Sequence, residues 1–285
     1  MPYALEYHHV PTNGLRLHVV QCGPAAGPLV VLLHGFPEFW YAWRHQIEAL
    51  AEAGYRVWVP DQRGYNLSDK PRRVRDYVID ELAADIIGLI DAAGRERAVV
   101  MGHDWGAAVA WHLAAHHPSR ISRAAILNVP HPRVLGRALL RKPGQLLKSW
   151  YIFFFQLPWL PEMLVQRRRW RFARWALRGT SRPGTFSNED LARYEAAWGQ
   201  PGAVRSMLNW YRAAVRFGSR LGKTGRVSIP VRIIWGERDA FLKRELARES
   251  LAFCDDAELT YLPASHWVQH EMPAEVNKLL LQFLK

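Results

Sequence analysis

Residues 102–107 read GHDWGA and follow directly on the apolar run AVVM at 98–101. Glycines on either side of one polar side chain, just after a short buried-strand pattern, mark a sharp strand-to-helix turn. Such a turn lifts its central residue above the carboxyl end of the strand. The helix that follows points its first N–H groups back at the same spot. In the commoner form of the turn the central residue is a serine nucleophile; here it is Asp104. That exchange changes the chemistry. A hydroxyl that attacks saturated carbon makes an ether, which water does not cleave. A carboxylate makes an ester, which water can open again. Asp104 therefore points to displacement at saturated carbon, such as epoxide opening or halide release. No Gly-x-Ser-x-Gly stands elsewhere in the chain to restore a serine esterase. For the motif alone, a second reading stays open, in which Asp104 simply caps the helix.

Working outward, short apolar runs occur at 28–35 (PLVVLLHG), 55–61 (YRVWVPD), 97–102 (RAVVMG), 121–128 (ISRAAILN), 231–236 (VRIIWG) and 257–262 (AELTYL). Each reads as a strand buried on both faces. An N-terminal hairpin is expected around the turn PTNG and the alternating LRLHVVQ at 15–21. Helical spacing marks 78–94, where Ile79, Leu82, Ile86, Ile87 and Ile90 share a face, and also 105–117 and 276–285. The alternation predicts an α/β protein with a mostly parallel central sheet flanked by helices. It stops between 131 and 229, where Trp, Arg, Leu and Pro dominate. That region reads as a helical cap inserted into a core formed by 1–130 and 230–285.

The composition, 285 residues with 49% hydrophobic and 22% charged, suits a globular chain with a sizeable core. Cys22 and Cys254 stand alone, which speaks against a disulfide framework or a zinc cluster. The N-terminal residues lack the apolar core of a signal peptide, and a cytoplasmic location is expected. The run SWYIFFFQLPWLP at 149–161 is too short and too broken by Gln156 and Pro158 to span a bilayer. It reads as the wall of an apolar pocket. The net charge is +12, with much of the excess at 166–182 (QRRRWRFARWALRGTSR). No nucleic-acid-binding motif accompanies it, so a solvated basic helix face is expected there.

A covalent ester needs a base to direct water and a group to orient that base. His266, in PASHWVQHEMP, follows the last strand pattern, and Asp239, in IIWGERDAF, follows the one before it. The order nucleophile, acid, histidine is that of the α/β-hydrolase triad. HGFP at 34–37 follows the first core strand, so the N–H of Phe36 and that of Trp105 are the expected oxyanion donors. His270 stands four residues after His266, but no third ligand completes a metal site, and none is expected. His103 is expected to pack under the turn. The charges of DQRGYNLSDKP at 61–71 read as architectural.

HGFPEFWYAWR, DQRGYNLSDKP, GHDWGA, LNWYR and SHWVQHEMP together resemble the α/β-hydrolase-fold epoxide hydrolases, from about residue 5 to the C-terminus. The resemblance implies a two-step conversion of an epoxide to a vicinal diol through an ester on Asp104, without a cofactor. It also implies that two cap tyrosines hold the epoxide oxygen. Tyr151, which precedes the Phe-Gln-x-Pro pattern of FQLP at 155–158, and Tyr211, in LNWYR, match them. A phenol with a pKa near 10 stays protonated at neutral pH and can stabilise a developing alkoxide. The partners are then a small apolar epoxide and water, with no nucleic acid, no transmembrane segment, and a monomer or homodimer. Haloalkane and haloacetate dehalogenases, which share the fold and the Asp nucleophile, are the alternative. Against them stand HGFP without a following Asn, HDWG rather than HDRG, and neutral Asn128 at their alternative acid position. A non-catalytic hydrolase-like binding protein is the third reading; no catalytic residue is missing to favour it.

Overall fold

The computed structural model describes residues 3–218 and 225–285, except the side chains of Arg168 and Arg169. Residues 219–224 of the expected cap, and those two arginine side chains of the basic stretch, lie outside the described residues.

Eight strands form one sheet: β1 (Glu6–Thr12), β2 (Leu15–Cys22), β3 (Leu29–Leu33), β4 (Arg56–Pro60), β5 (Ala98–His103), β6 (Ile121–Leu127), β7 (Val231–Gly236) and β8 (Ala257–Leu262). Their order is β1-β2-β4-β3-β5-β6-β7-β8. β1 and β2 form the expected antiparallel hairpin, β2 runs antiparallel to β4, and every other pair is parallel. The apolar runs have a direct cause. All five residues of β3 are buried. Val31 and Leu33 enter one apolar layer, Val30 and Leu32 the other. A strand covered on both faces cannot alternate with polar residues.

Helices supply the covers. α1 (Arg44–Glu52), α2 (Ile79–Ala92) and α3 (Trp105–His116) lie in the first half of the chain. Ile47 and Leu50 of α1 pack on one side; Leu82, Ile86 and Leu89 of α2 pack on the other with Val109 and Leu113 of α3. α3 is buried from Gly106 to Ala114, so it has no polar face, and its alanines let it lie close to the sheet.

Between β6 and β7 the chain leaves the sheet and forms α4 (Pro132–Arg141), α5 (Pro143–Lys148), α6 (Trp150–Phe154), α7 (Leu160–Arg178), α8 (Asn188–Trp198) and α9 (Ala203–Phe217). These helices cross the carboxyl ends of the parallel strands. Tyr211 of α9 meets the rings of Phe36 (5.3 Å) and Trp105 (5.0 Å) edge-on. α10 (Glu245–Ser250), α11 (Val268–Glu271) and α12 (Pro273–Leu284) complete the chain. α10 begins only at Glu245, six residues after Asp239. The N–H groups of Phe241 and Leu242 donate to Asp239 Oδ1 (2.7 and 2.9 Å) and that of Lys243 to Gln145 Oε1 (3.0 Å), which holds this stretch as a turn.

The loop at 61–71 is tied down by its own charges. Asp61 meets His18 Nδ1 (2.7 Å) and accepts from Asn66 (2.8 Å), while Arg63 pairs with Asp85 (2.8 and 2.6 Å). Trp210 of α9 donates to the carbonyl of Arg63 (2.9 Å), so this loop also seats the inserted helices.

Candidate active site

Asp104 sits between β5 and α3 with φ 49° and ψ −123°, outside the regions an L-residue prefers. Such a conformation costs on the order of 1–3 kcal/mol and persists only where the surroundings enforce it. The surroundings are glycines. A Cβ on Gly102 would lie 2.3 Å from the carbonyl oxygen of Gly106, and one on Gly106 would lie 2.1 Å from that of Leu33. One on Gly35 would meet the Asp104 side chain itself at 2.3 Å. The spacing in GHDWG therefore lets strand, helix and the loop after β3 converge on one carboxylate.

That carboxylate has two different oxygens. Oδ1 accepts from the N–H of Phe36 (2.8 Å), and Oδ2 faces Nε2 of His266 at 3.5 Å. Trp105 N–H, the other expected donor, lies at the start of α3 and makes no hydrogen bond to Asp104 in this arrangement. Burial raises the Asp104 pKa, but His266, His103 and the Phe36 N–H outweigh it and bring it below the ordinary value.

His266 Nδ1 lies 2.7 Å from Asp239 Oδ2. A carboxylate can only accept, so Nδ1 carries a proton and Nε2 faces Asp104. Burial pushes the His266 pKa down, yet Asp239 and Asp104 on its two sides raise it to about 10. Asp239 also accepts from Asn128 Nδ2 (2.7 Å) and from the N–H groups of Phe241 and Leu242. Its pKa stays below the ordinary value against its burial because His266 and these donors favour the ionised form. The neutral residue at the alternative acid position thus braces the acid on the next strand.

Tyr151 and Tyr211 line the same cavity as Asp104 and His266, a space of about 320 Å³ walled by Phe36, Phe155, Phe172, Phe241 and Trp267 among others. Their rings lie 5.9 Å apart, near perpendicular. Gln156 donates to the carbonyls of Ile152 (3.0 Å) and Tyr211 (3.2 Å), so the Phe-Gln-x-Pro pattern clamps α6 to α9 and fixes one tyrosine against the other. Burial and the Asp104 charge push both phenols above their usual range, which keeps them hydrogen-bond donors. The run at 149–161 lines this cavity only in part. Tyr151 of α6 and Phe155, the residue that ends it, are four apart and face the cavity together; Phe153, Leu157 and Trp159 point outward and are exposed.

Below the site lies a cluster that the sequence patterns leave unmarked. Glu38 is fully enclosed. It faces His103 Nδ1 (3.1 Å) and His270 Nε2 (2.7 Å) and accepts from the Tyr194 hydroxyl of α8 (2.8 Å). His103 Nε2 meets the carbonyl of His266 (2.8 Å). Both nitrogens of His103 thus face oxygen atoms. His270 differs: Arg44 donates to its Nδ1 (2.9 Å), so its remaining proton sits on Nε2 and goes to Glu38. His270 is thus a buried, neutral link and not half of a metal pair. Burial opposes charge on Glu38, but the two histidines hold its carboxyl well below the usual range. Glu38→Ala would strand both histidines and Tyr194. We expect a loss of about 3–5 kcal/mol of stability, read from urea unfolding; a change under about 1 kcal/mol would mean the cluster is not coupled to folding. Because the folded carboxyl is depressed, its contribution is complete above an unfolded pKa of about 4.3 and is lost as the pH falls below it.

Comparison with known proteins places this geometry. The alpha/beta hydrolase fold family matches residues 28–273. The chain is 50% identical to AB hydrolase superfamily protein YfhM of Bacillus subtilis, over 97% of this chain and 96% of that one. It is 39% identical to human epoxide hydrolase 4, over 98% of this chain and 78% of that one. The crystal structure of epoxide hydrolase A from Mycobacterium thermoresistibile superimposes with a TM-score of 0.88 at 33% identity, covering 99% of this chain and 98% of that one. The chain belongs to the α/β-hydrolase superfamily and, within it, to the epoxide hydrolases. No helix among the described residues is long and apolar enough to cross a membrane.

Proposed function

We propose that the protein hydrolyses apolar epoxides to vicinal diols in two steps, through an ester on Asp104. The observation that carries this reading is the divided carboxylate: Oδ1 held by Phe36 N–H, Oδ2 free to attack, and a histidine behind it in a cavity shared with two tyrosines.

In the first step Asp104 Oδ2 attacks a ring carbon from the side opposite the epoxide oxygen. That carbon–oxygen bond breaks, and Tyr151 and Tyr211 donate to the oxygen as charge develops on it. The oxygen stays on the adjacent carbon and becomes a hydroxyl by gaining a proton, balanced by the one His266 gives up, and the negative charge of Asp104 is consumed in the ester. In the second step His266 Nε2 takes a proton from water, and the resulting hydroxide attacks Asp104 Cγ. The N–H groups of Phe36 and Trp105 hold the oxyanion, a contribution on the order of 3 kcal/mol for each donor. The acyl–oxygen bond then breaks and the departing oxygen takes the proton from His266 to become the second hydroxyl. The proton left on the Asp104 carboxyl passes to His266 Nε2, which restores the carboxylate and the protonated histidine. Asp239 orients His266 and balances its charge throughout. In this reading residues 131–229 form a cap over a core made by 1–130 and 230–285, and the cap supplies both tyrosines.

The test is a parallel assay with styrene oxide and a short bromoalkane, following diol and bromide. Diol without bromide, reduced by about 10⁴-fold or more in Asp104→Ala, is expected. Bromide without diol would overturn the reading in favour of a dehalogenase.

A further inference from the structure

We infer that the face of the inserted helices around the cavity mouth docks onto an anionic lipid bilayer, from which apolar substrate enters the cavity directly. The docking rests on surface chemistry alone; the passage of substrate rests on the epoxide reading above.

The apolar part of the surface is concentrated. Of the fourteen exposed large hydrophobic side chains among the described residues, twelve lie between Leu140 and Phe217. Leu147, Trp150 and Trp175 are exposed and also line the cavity that holds Asp104, so they mark its mouth. Trp159 stands further out. It is 71% exposed on a left-handed backbone (φ 49°), between Pro158 and Pro161. A bulky residue in that conformation presents its ring to the outside at a cost in backbone energy.

The charge of the same region is one-sided. Residues 132–188 hold twelve Lys and Arg and a single acid, Glu162. Lys142, Arg174 and Arg182 pair with Glu249, Glu195 and Glu271 from outside the stretch, and the other cations have no acid of their own segment to meet but Glu162. Glu162 is neutralised by Arg212 at 2.6 Å. No carboxylate pairs with Arg167 or Arg171 among the described residues. These two cations lie among the apolar side chains. One surface hollow joins Arg167 to Trp159 and Met163; another joins Arg167 and Arg171 to Leu164, Phe172 and Trp175, and the last two also line the cavity.

The interleaving selects the partner. Interfaces between proteins gather apolar residues in a core depleted of charge. Here Trp, Phe and Leu alternate with Arg and Lys over one surface. That is the pattern of segments lying in the headgroup region, where rings enter the acyl boundary and cations meet anionic lipid. Long basic side chains can extend to the phosphates while their stems stay in apolar contact.

The experiment is co-sedimentation of the whole protein with vesicles of equal phosphatidylcholine and phosphatidylglycerol, against vesicles of phosphatidylcholine alone. Binding to the mixed vesicles is expected, at least about tenfold weaker without the anionic lipid and weaker in high salt. Phe153→Ser combined with Trp159→Ser should weaken binding by about tenfold or more. Turnover of styrene oxide in solution should stay at the parent level, because neither residue lines the cavity. Arg167→Glu with Arg171→Glu should weaken binding similarly. No binding to the mixed vesicles at low salt would overturn the proposal, as would binding indifferent to both pairs of substitutions. So would a dimer in sedimentation velocity that the double serine variant splits, which would assign this face to a second copy. Vesicle binding is read without substrate, so it can fail while diol formation stands, or stand while diol formation fails.

Discussion

His266→Gln enzyme mixed with styrene oxide is expected to gain the mass of one substrate molecule per chain and then stop. Steady-state turnover should fall on the order of 10²- to 10⁴-fold, and intact-mass spectrometry should show the adduct. The reason lies in how Asp104 is held. The N–H of Phe36 fixes Oδ1 and, with His103, favours the carboxylate independently of His266. Attack on the ring therefore survives the substitution. Ester hydrolysis does not, because the glutamine amide cannot take a proton from water. The substituted side chain is enclosed, but Asp239 retains Asn128 and two backbone N–H donors, so the acid is not left bare. An enzyme that loses turnover and shows no adduct would place His266 in the first step and overturn the division of labour.

Replacing both Tyr151 and Tyr211 with Phe should have the opposite signature: ester formation should be slowed below detection. Phenylalanine keeps the ring contacts, including those of Tyr211 with Phe36, Trp105 and Phe155, so folding should be little affected. What disappears is the pair of donors to the oxygen that leaves carbon. Each should be worth about 10²-fold in rate, in the range of single oxyanion donors, and the pair about 10⁴-fold. Combining the double substitution with His266→Gln makes the test direct. The adduct that accumulates in the histidine variant should fail to appear within the same mixing time. An adduct forming at the unchanged rate would reduce the tyrosines to cavity wall.

The sequence could be read where a physical constraint compresses into adjacent residues. GHDWG carries the elbow because three elements converge within the width of a missing Cβ, and only glycine permits that. The strands were legible because burial on both faces leaves no room for polar alternation. The Glu38 cluster was hidden for the opposite reason. Its partner Tyr194 lies 156 residues away, and His103 and His270 come from two further elements, so no local pattern betrays it. Its one signal is an acid within the apolar stretch HGFPEFW, which a buried strand end tolerates only with partners. The aromatic run at 149–161 reads as a pocket wall without distinction between its side chains, because composition records apolarity but not direction. A helix five residues long turns half of its side chains away from the cavity.

The 3.5 Å separation of Asp104 and His266 has a consequence for the order of events. In the resting enzyme two carboxylates flank the imidazole, and His266 holds its extra proton up to about pH 10. While protonated, the ring has no lone pair with which to accept a proton from water. Esterification in the proposed mechanism removes one of the two charges, and the affinity of the ring for its proton drops at that moment. The proton that His266 gives up balances the one the opened epoxide oxygen must gain. The catalyst thereby carries its own clock: the histidine becomes able to activate water only after there is an ester to hydrolyse, and regeneration of the carboxylate resets it.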